Sequence, residues 1–267
     1  PYPPHGGVLQ RGYNIIREIC KYNEVHLLAF NHPDILGTPE AIEKSRQELE
    51  KHCAGVEYFP LWPKKSSLHK LAAFGLGMLY PRPFSVLAHK SADYARAVRR
   101  VMNDADIDLV HIDTIGLAPY RQLAAGRPCV LTHHNIESRL MERRAEVETD
   151  IVHKYYVGLQ ARRLRAYEAA QSPLFDMNIV MSPIDERELR GIAPDVATAI
   201  VPNGVDTEYF SPSVDGHEKA AIYTGGMNMY ANKDAVLYFL REIWPAVLRE
   251  HPGARFYAIG QDPPREL

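Results

Sequence analysis

LVHIDTIGLAPYRQLAAGRPCVLTHHN, residues 109–135, is the stretch on which the fold turns. Leu109–Ile112 is a short apolar run, Leu117–Ala125 has helical spacing, and Pro128–Thr132 is apolar again. Two short apolar strands joined through a helix make a parallel crossover unit. The same alternation continues on both sides. Upstream, Val8–Lys21 reads as a helix with Val8, Leu9, Ile15, Ile16 and Ile19 on or near one face. Glu24–Phe30 is a buried strand, and Pro39–Cys53 is a charged helix opened by Thr38 as N-cap and Pro39 at its first position. Val56–Phe59 is a strand, and Ser66–Tyr80 and Ser85–Asn103 are helices separated by Pro81-Arg82-Pro83. Downstream, a charged helical region from Ile136 to Gln171 breaks near Thr149. Met177–Met181 is a strand, Pro183–Arg190 a helix and Ala197–Val201 a strand. This is the pattern of a doubly wound, mostly parallel α/β domain.

The pattern stops at PNGVDTEYFSPSVDGH, residues 202–217, whose Pro, Gly and Asp content is that of a linker. It then restarts with a strand at Ala220–Thr224, a helical region at Asn232–Glu250 broken at Pro245, and a strand at Ala254–Gly260. The expected division is residues 1–202, a linker at 203–217, and the start of a second domain at 218–267. The chain opens on the loop composition of PYPPHGG without a Met and stops soon after its last strand, so the sequence reads as a piece cut at both ends.

Composition narrows the function classes. With 31 Lys and Arg against 33 Asp and Glu, the net charge of −2 argues against a general nucleic-acid binder. Cys20, Cys53 and Cys129 are far apart and form no CxxC pair, which reads as reduced cytoplasmic thiols. No apolar run reaches the roughly 18 residues of a membrane-spanning helix; the longest candidate is Leu71–Tyr80.

Chemistry concentrates where strands meet helices. Gly6-Gly7 precedes the first helix, and glycines there let backbone N–H groups approach an anion, or simply supply a tight turn. His133-His134-Asn135 follows the strand Pro128–Thr132, at the edge where open α/β sheets bind ligands. Imidazole there can meet a sugar hydroxyl or act as a base, or the two histidines can merely cap the next helix. No spacing suggests a metal. Between Trp62 and Val101, Lys64, Lys65, Lys70, Arg82, Lys90, Arg96, Arg99 and Arg100 face a single acid, Asp93, around an apolar run. That composition suits an interfacial membrane contact as well as an ordinary solvated face.

Four segments carry a family resemblance: PYPPHGGVLQR at 1–11, HHNIES at 133–138, VPNGVD at 201–206, and TGG with NKDA between Thr224 and Ala235. In this order they resemble the GT-B glycosyltransferases of family 4, also called glycosyl transferases group 1. The nearest flavour is the bacterial sugar transferases of exopolysaccharide or exosortase-associated gene clusters. The resemblance implies a GT-B, α/β fold, with a Rossmann-like parallel-sheet, acceptor-side domain and a second, here truncated, Rossmann-like nucleotide-sugar-binding domain. It implies a retaining enzyme that moves a sugar from a nucleotide-diphosphate donor, UDP- or GDP-linked, to a glycan or lipid-linked acceptor in cell-envelope or exopolysaccharide synthesis. No cofactor and no metal are implied, and the expected place is the cytoplasm at the inner face of the plasma membrane.

Carried over by motif, His134 resembles the active-site His that meets the transferred sugar, and Gly6, Gly7 and Arg11 resemble the loop at the donor diphosphate and acceptor. His133, Asn135, Glu137, Gly225, Gly226 and Lys233 are secondary candidates, and Asn203, Gly204 and Asp206 belong to the hinge. Many relatives end the first strand of the second domain in Gly-Arg, with a Lys several residues on. Here the run is Thr224-Gly225-Gly226-Met227, and Lys233 is offset by about one residue. The family's E-x7-E element would lie beyond Leu267, so this chain alone is expected to bind nucleotide sugars poorly and not to turn over. A GT-B nucleotide-sugar epimerase, which needs carboxylates at the site, and a non-catalytic ligand-binding fragment are the competing readings.

Overall fold

The structure, a computed structural model, describes residues 2–4, 6–32, 35–62, 67–211, 218–227 and 230–260. The chain forms two compact units, Pro1–Gly204 and Val205–Leu267. The first unit thus ends at the third residue of the linker sequence.

The first unit opens with α1 (Gly7–Ile19), β1 (His26–Asn31), α2 (Pro39–Glu50) and β2 (Gly55–Pro60). Gly6 caps α1 at φ 99°, a backbone region in which side chains with a Cβ are strained. The Thr38 hydroxyl accepts the Ala41 N–H and so starts α2. β1 and β2 pair in parallel from His26 opposite Gly55 to Asn31 opposite Pro60. Their core is Leu49, Cys53 and Val56, with Tyr13 and Ile16 of α1 and its C-cap Cys20 packed on it. Val8 and Ile19, expected on the apolar face of α1, are instead exposed. The Cys20 and Cys53 sulfurs, distant in sequence, lie 3.9 Å apart in this core. Burial beside Cys20 pushes the Cys53 thiol up to about 12.

Next come α3 (Ser67–Leu79), α4 (Phe84–Ala88) and α5 (Ala92–Asp104). The single helix expected over Ser85–Asn103 is therefore two. His89 Nδ1 lies 2.7 Å from the Ser85 carbonyl at the end of α4, and the Ser91 hydroxyl caps α5 by accepting the Tyr94 N–H. Tyr120 pins the break: its hydroxyl donates to the His89 carbonyl at 2.6 Å and accepts the Ser91 N–H at 2.9 Å.

The main sheet orders β3 (Val110–Ile112), β4 (Cys129–His133), β5 (Met177–Val180) and β6 (Thr198–Ile200), all parallel. Among the described residues, β1–β2 and β3–β6 share no hydrogen-bonded edge, so one expected sheet is two. Between β3 and β4 the chain runs as a 3-10 helix, Ile115–Leu123, instead of an α-helix to Ala125. Pro119 supplies no N–H inside it, and Ala125 and Gly126 turn into positive φ. Helices α6 (Glu137–Val147), α7 (Ile151–Gln171) and α8 (Pro183–Ile192) complete the unit, with Asp150 capping α7 near the expected break. Leu131, fully buried, joins Ile112, Ile115, Leu164, Tyr167 and Phe175 in the largest core. Ile136, Val180, Leu189, Ala193 and Val196 form another. Each such buried aliphatic side chain contributes about 1.5–3 kcal/mol of transfer free energy.

The second unit contains β7 (Ala220–Thr224), α9 (Tyr230–Tyr238), α10 (Trp244–Glu250) and β8 (Arg255–Ile259). β7 and β8 pair in parallel. The helical region breaks through a π-turn at Phe239–Ile243, just ahead of Pro245, whose missing N–H is placed in the first turn of α10. An apolar hollow of about 630 Å³, lined by Met227, Leu240, Trp244, Leu248 and Phe256 among others, lies within this unit. No described helix is long and apolar enough to cross a membrane.

Candidate active site

Parallel strands end on one edge, so the first polar residue after each strand is delivered to a common rim. β3 delivers Asp113 and Thr114, β4 delivers His134, and β6 delivers Val201-Pro202-Asn203. His134 Nε2 lies 3.1 Å from Asp113 Oδ1, with the imidazole 14% exposed and the carboxylate 54% exposed. A carboxylate only accepts, so Nε2 carries the hydrogen, and in the neutral ring the lone pair is then on Nδ1. One residue past Asp113, the Thr114 hydroxyl donates at 3.2 Å to Oε1 of Glu137, three residues past His134. Asp113–His134 and Thr114–Glu137 thus cross-link the β3 exit to the β4 exit at two points. Burial raises the pKa of the half-buried Glu137; the Thr114 hydrogen bond and the nearby His134 oppose the rise.

His133 goes the other way. It is the last residue of β4, buried, with Nε2 3.0 Å from Asn178 Oδ1. Burial lowers its pKa and favours the neutral ring. Adjacent residues of a strand alternate sides, and here that separates a core imidazole from one at the rim. Asn135 is exposed, and Glu137 begins α6.

Gly6 and Gly7 start α1, one turn ahead of Arg11. The Arg11 guanidinium grips the β6 exit: Nη2 donates to the Val201 carbonyl at 2.8 Å, and Nη1 to the Pro202 carbonyl and Asn203 Oδ1, each at 3.0 Å. Partial burial lowers the Arg11 pKa, and Asp113 pulls it back up. Both Nη atoms are committed to these oxygens, so the geometry gives Arg11 the work of anchoring the Val201–Asn203 segment. Asn203 is drawn into the same cluster, Gly204 ends the unit, and Asp206 Oδ1 accepts the Glu208 and Tyr209 N–H groups in a turn of the second unit.

Gly225, Gly226 and Lys233 form a separate group within the second unit. The Gly225 N–H donates to the Ile259 carbonyl at 3.0 Å, and Asn232 Nδ2 donates to the Gly226 carbonyl at 2.9 Å. Tyr223 Oη holds Asn232 from behind at 2.9 Å. Gly260 sits against this turn so closely that a Cβ there would fall 1.7 Å from the Gly225 oxygen. Lys233, on α9, is half-buried.

The structure therefore gathers Arg11, Asp113, His134, Glu137 and Asn203 into one charged corner on the first unit. Asp113 and Thr114 were missed from sequence, although the rule that singled out His133-His134-Asn135, the first polar residues after a strand, applies to them equally. Among the described residues no three His, Cys, Asp or Glu side chains converge as a metal site.

No curated protein matches the chain at a significant level of similarity. The family model described as Glycosyltransferase Family 4 matches residues 5–209, a span that holds the whole charged corner and leaves Gly225, Gly226 and Lys233 outside. Parallel Rossmann-like architecture, the strand-exit rim and this match agree, and the chain belongs to glycosyltransferase family 4.

Proposed function

We propose that the chain carries the acceptor-side half of a retaining glycosyltransferase that moves a sugar from a UDP- or GDP-linked donor to a glycan or lipid-linked acceptor in cell-envelope or exopolysaccharide synthesis. The observation that supports it most is the Asp113–His134 pair at the rim of a family 4 domain. Asp113 fixes the imidazole, so Nδ1 meets a hydroxyl of the transferred sugar without first reorienting. The Gly6-Gly7 corner offers N–H groups to the departing diphosphate, and Gly225, Gly226 and Lys233 serve the donor from the second unit. Arg11 and Asn203 act one step back, by holding the corner to the β6 exit.

The test is nucleotide release. The full-length protein, given a panel of UDP- and GDP-sugars with a polyprenyl-phosphate-linked acceptor, is expected to free UDP or GDP, and His134→Ala to lower kcat roughly 10²-fold with the fold intact. Unchanged turnover in His134→Ala sinks the assignment. The carboxylates of Asp113 and Glu137 beside His134 favour one second reading, a nucleotide-sugar epimerase. It predicts a donor isomerised at C2 with its diphosphate intact.

The lipid-linked acceptor is supported by α3, whose solvent side carries Ala72, Gly75, Leu76 and Leu79, with Leu79 83% exposed. Arg82, Lys90 and Arg99 are exposed nearby in sequence, while Arg96 pairs with Asp93 and Arg100 with Glu57. Lys64 and Lys65 lie outside the described residues, as does the Lys70 side chain. Co-sedimentation with vesicles that ignores their anionic lipid content argues against a membrane contact here.

A further inference from the structure

Helix α6 begins three residues after His134, and it begins without a cap of its own. Its N-cap residue is Ile136, whose side chain offers no acceptor and is buried beside Val180 and Leu189. The first N–H groups of a helix need partners from elsewhere, and leaving them buried and unpaired is costly. The partner comes from the helix packed alongside. Glu168, near the end of α7, is fully buried. Its Oε1 accepts the Ser138 N–H at 3.3 Å, and its Oε2 accepts the Ser138 hydroxyl in a short hydrogen bond.

A carboxylate at a helix N-terminus also meets the positive end of the helix dipole. An aspartate or serine at position 136 could accept the Ser138 N–H from the helix's own first turn. Instead the start of α6 is fixed from inside the protein, leaving Ile136 free to anchor the chain in the core. Between that anchor and β4 lie only His134 and Asn135.

We infer that Glu168 is a positioning residue: from within the α6–α7 pair it sets where α6 begins, and so holds His134 and Glu137 in the register in which they meet Asp113 and Thr114. The inference deepens the reading of His134 as the sugar-facing group and rests on it. Glu168 does not touch the imidazole; it acts through Ser138 and the neighbouring backbone of Glu137.

The experiment uses the full chain and two readouts, amide exchange over 135–141 against 183–190 as control, and the ring 15N signals of His134. Those signals are assigned through their loss in His134→Asn. Glu168→Ala is expected to speed exchange over 135–141 at least tenfold, leave 183–190 unchanged, and move the His134 signals. Glu168→Gln keeps an oxygen for the Ser138 N–H and offers an N–H to the hydroxyl, and is expected to restore both readouts. Where Glu168→Ala does not fold, Ser138→Ala takes its place with a severalfold local rise. Unchanged exchange at 135–141 overturns the inference. A rise shared equally by 183–190 does so too, as does a His134 spectrum that ignores the substitutions. No readout needs turnover, so failure to transfer sugar counts against the proposed function alone.

Discussion

β4 and β7 are both short parallel strands, CVLTH at 129–133 and AAIYT at 220–224, yet they live in opposite surroundings. Four of the five β4 residues are buried, and Leu131 is fully so. No β7 residue is buried, and Ile222 is 62% exposed. Parallel strands ordinarily have both faces covered. β4 lies between two strands and under α7, whereas β7 has one strand partner among the described residues. Local sequence makes the strand in both cases; neighbours decide whether it becomes a core. Around the covered sheet, burial lowers the pKa of His133 at the end of β4 and raises those of Glu137 on α6 and Glu168 on α7.

The largest expected contrast is in backbone opening. Amides of β4 and β5 should exchange about 10³-fold more slowly than those of β7 and β8. Equal protection, measured by hydrogen exchange on the intact chain, breaks the comparison. Side-chain truncation comes next. Leu131→Ala should cost about 3 kcal/mol in urea unfolding, whereas Ile222→Ala at its exposed site should cost under about 1 kcal/mol.

A third contrast is in pH. Burial raises Glu168 to about 7 from an ordinary value of 4.5, against the hydrogen bonds of Ser138 and with the help of the neighbouring Glu137 charge. A carboxyl that is harder to ionise when folded favours the folded state most at low pH. That contribution is complete below pH 4.5 and is lost as pH rises through about 7. Urea unfolding of the first unit should therefore weaken by about 2–3 kcal/mol between pH 4.5 and pH 8 from this group. Glu168→Gln should flatten that slope, and a slope that survives the substitution belongs to other groups. The smallest effect is at the helix starts. Thr38, Ser91, Asp150 and Ser182 each cap a helix of the first unit, while α10 has no side-chain cap. Thr38→Ala should cost about 1 kcal/mol in the same assay.

The order of strands and helices was legible because it is written in local periodicity and caps. Thr38-Pro39 announces α2, and Ala220–Thr224 is a strand at its expected bounds. The break at His89–Ser91 was not legible, since it depends on Tyr120 arriving from a later segment. His134 could be found from its place after a strand. Asp113 was equally findable, but its pairing with His134 is a fact of strand neighbours, not of spacing. Glu168 gives no sequence signal at all: in a charged helix it looks like any solvated glutamate, and only the packing of α6 on α7 puts it in the core. The same holds for Cys20 and Cys53, whose contact spans two helix ends.

Arg11's grip on Val201, Pro202 and Asn203 has a mechanical consequence. The chain does not fray out of the first unit after β6; it is bolted to α1 through Asn203. At Asp206 the next turn is already closed by that residue's own side chain. Gly204 and Val205 alone lie between bolt and turn, which leaves four rotatable torsions and a reach of about 7 Å. The segment that leaves β6 is thus held at Asn203 and turned again at Asp206, and glycine takes the first of the two positions between.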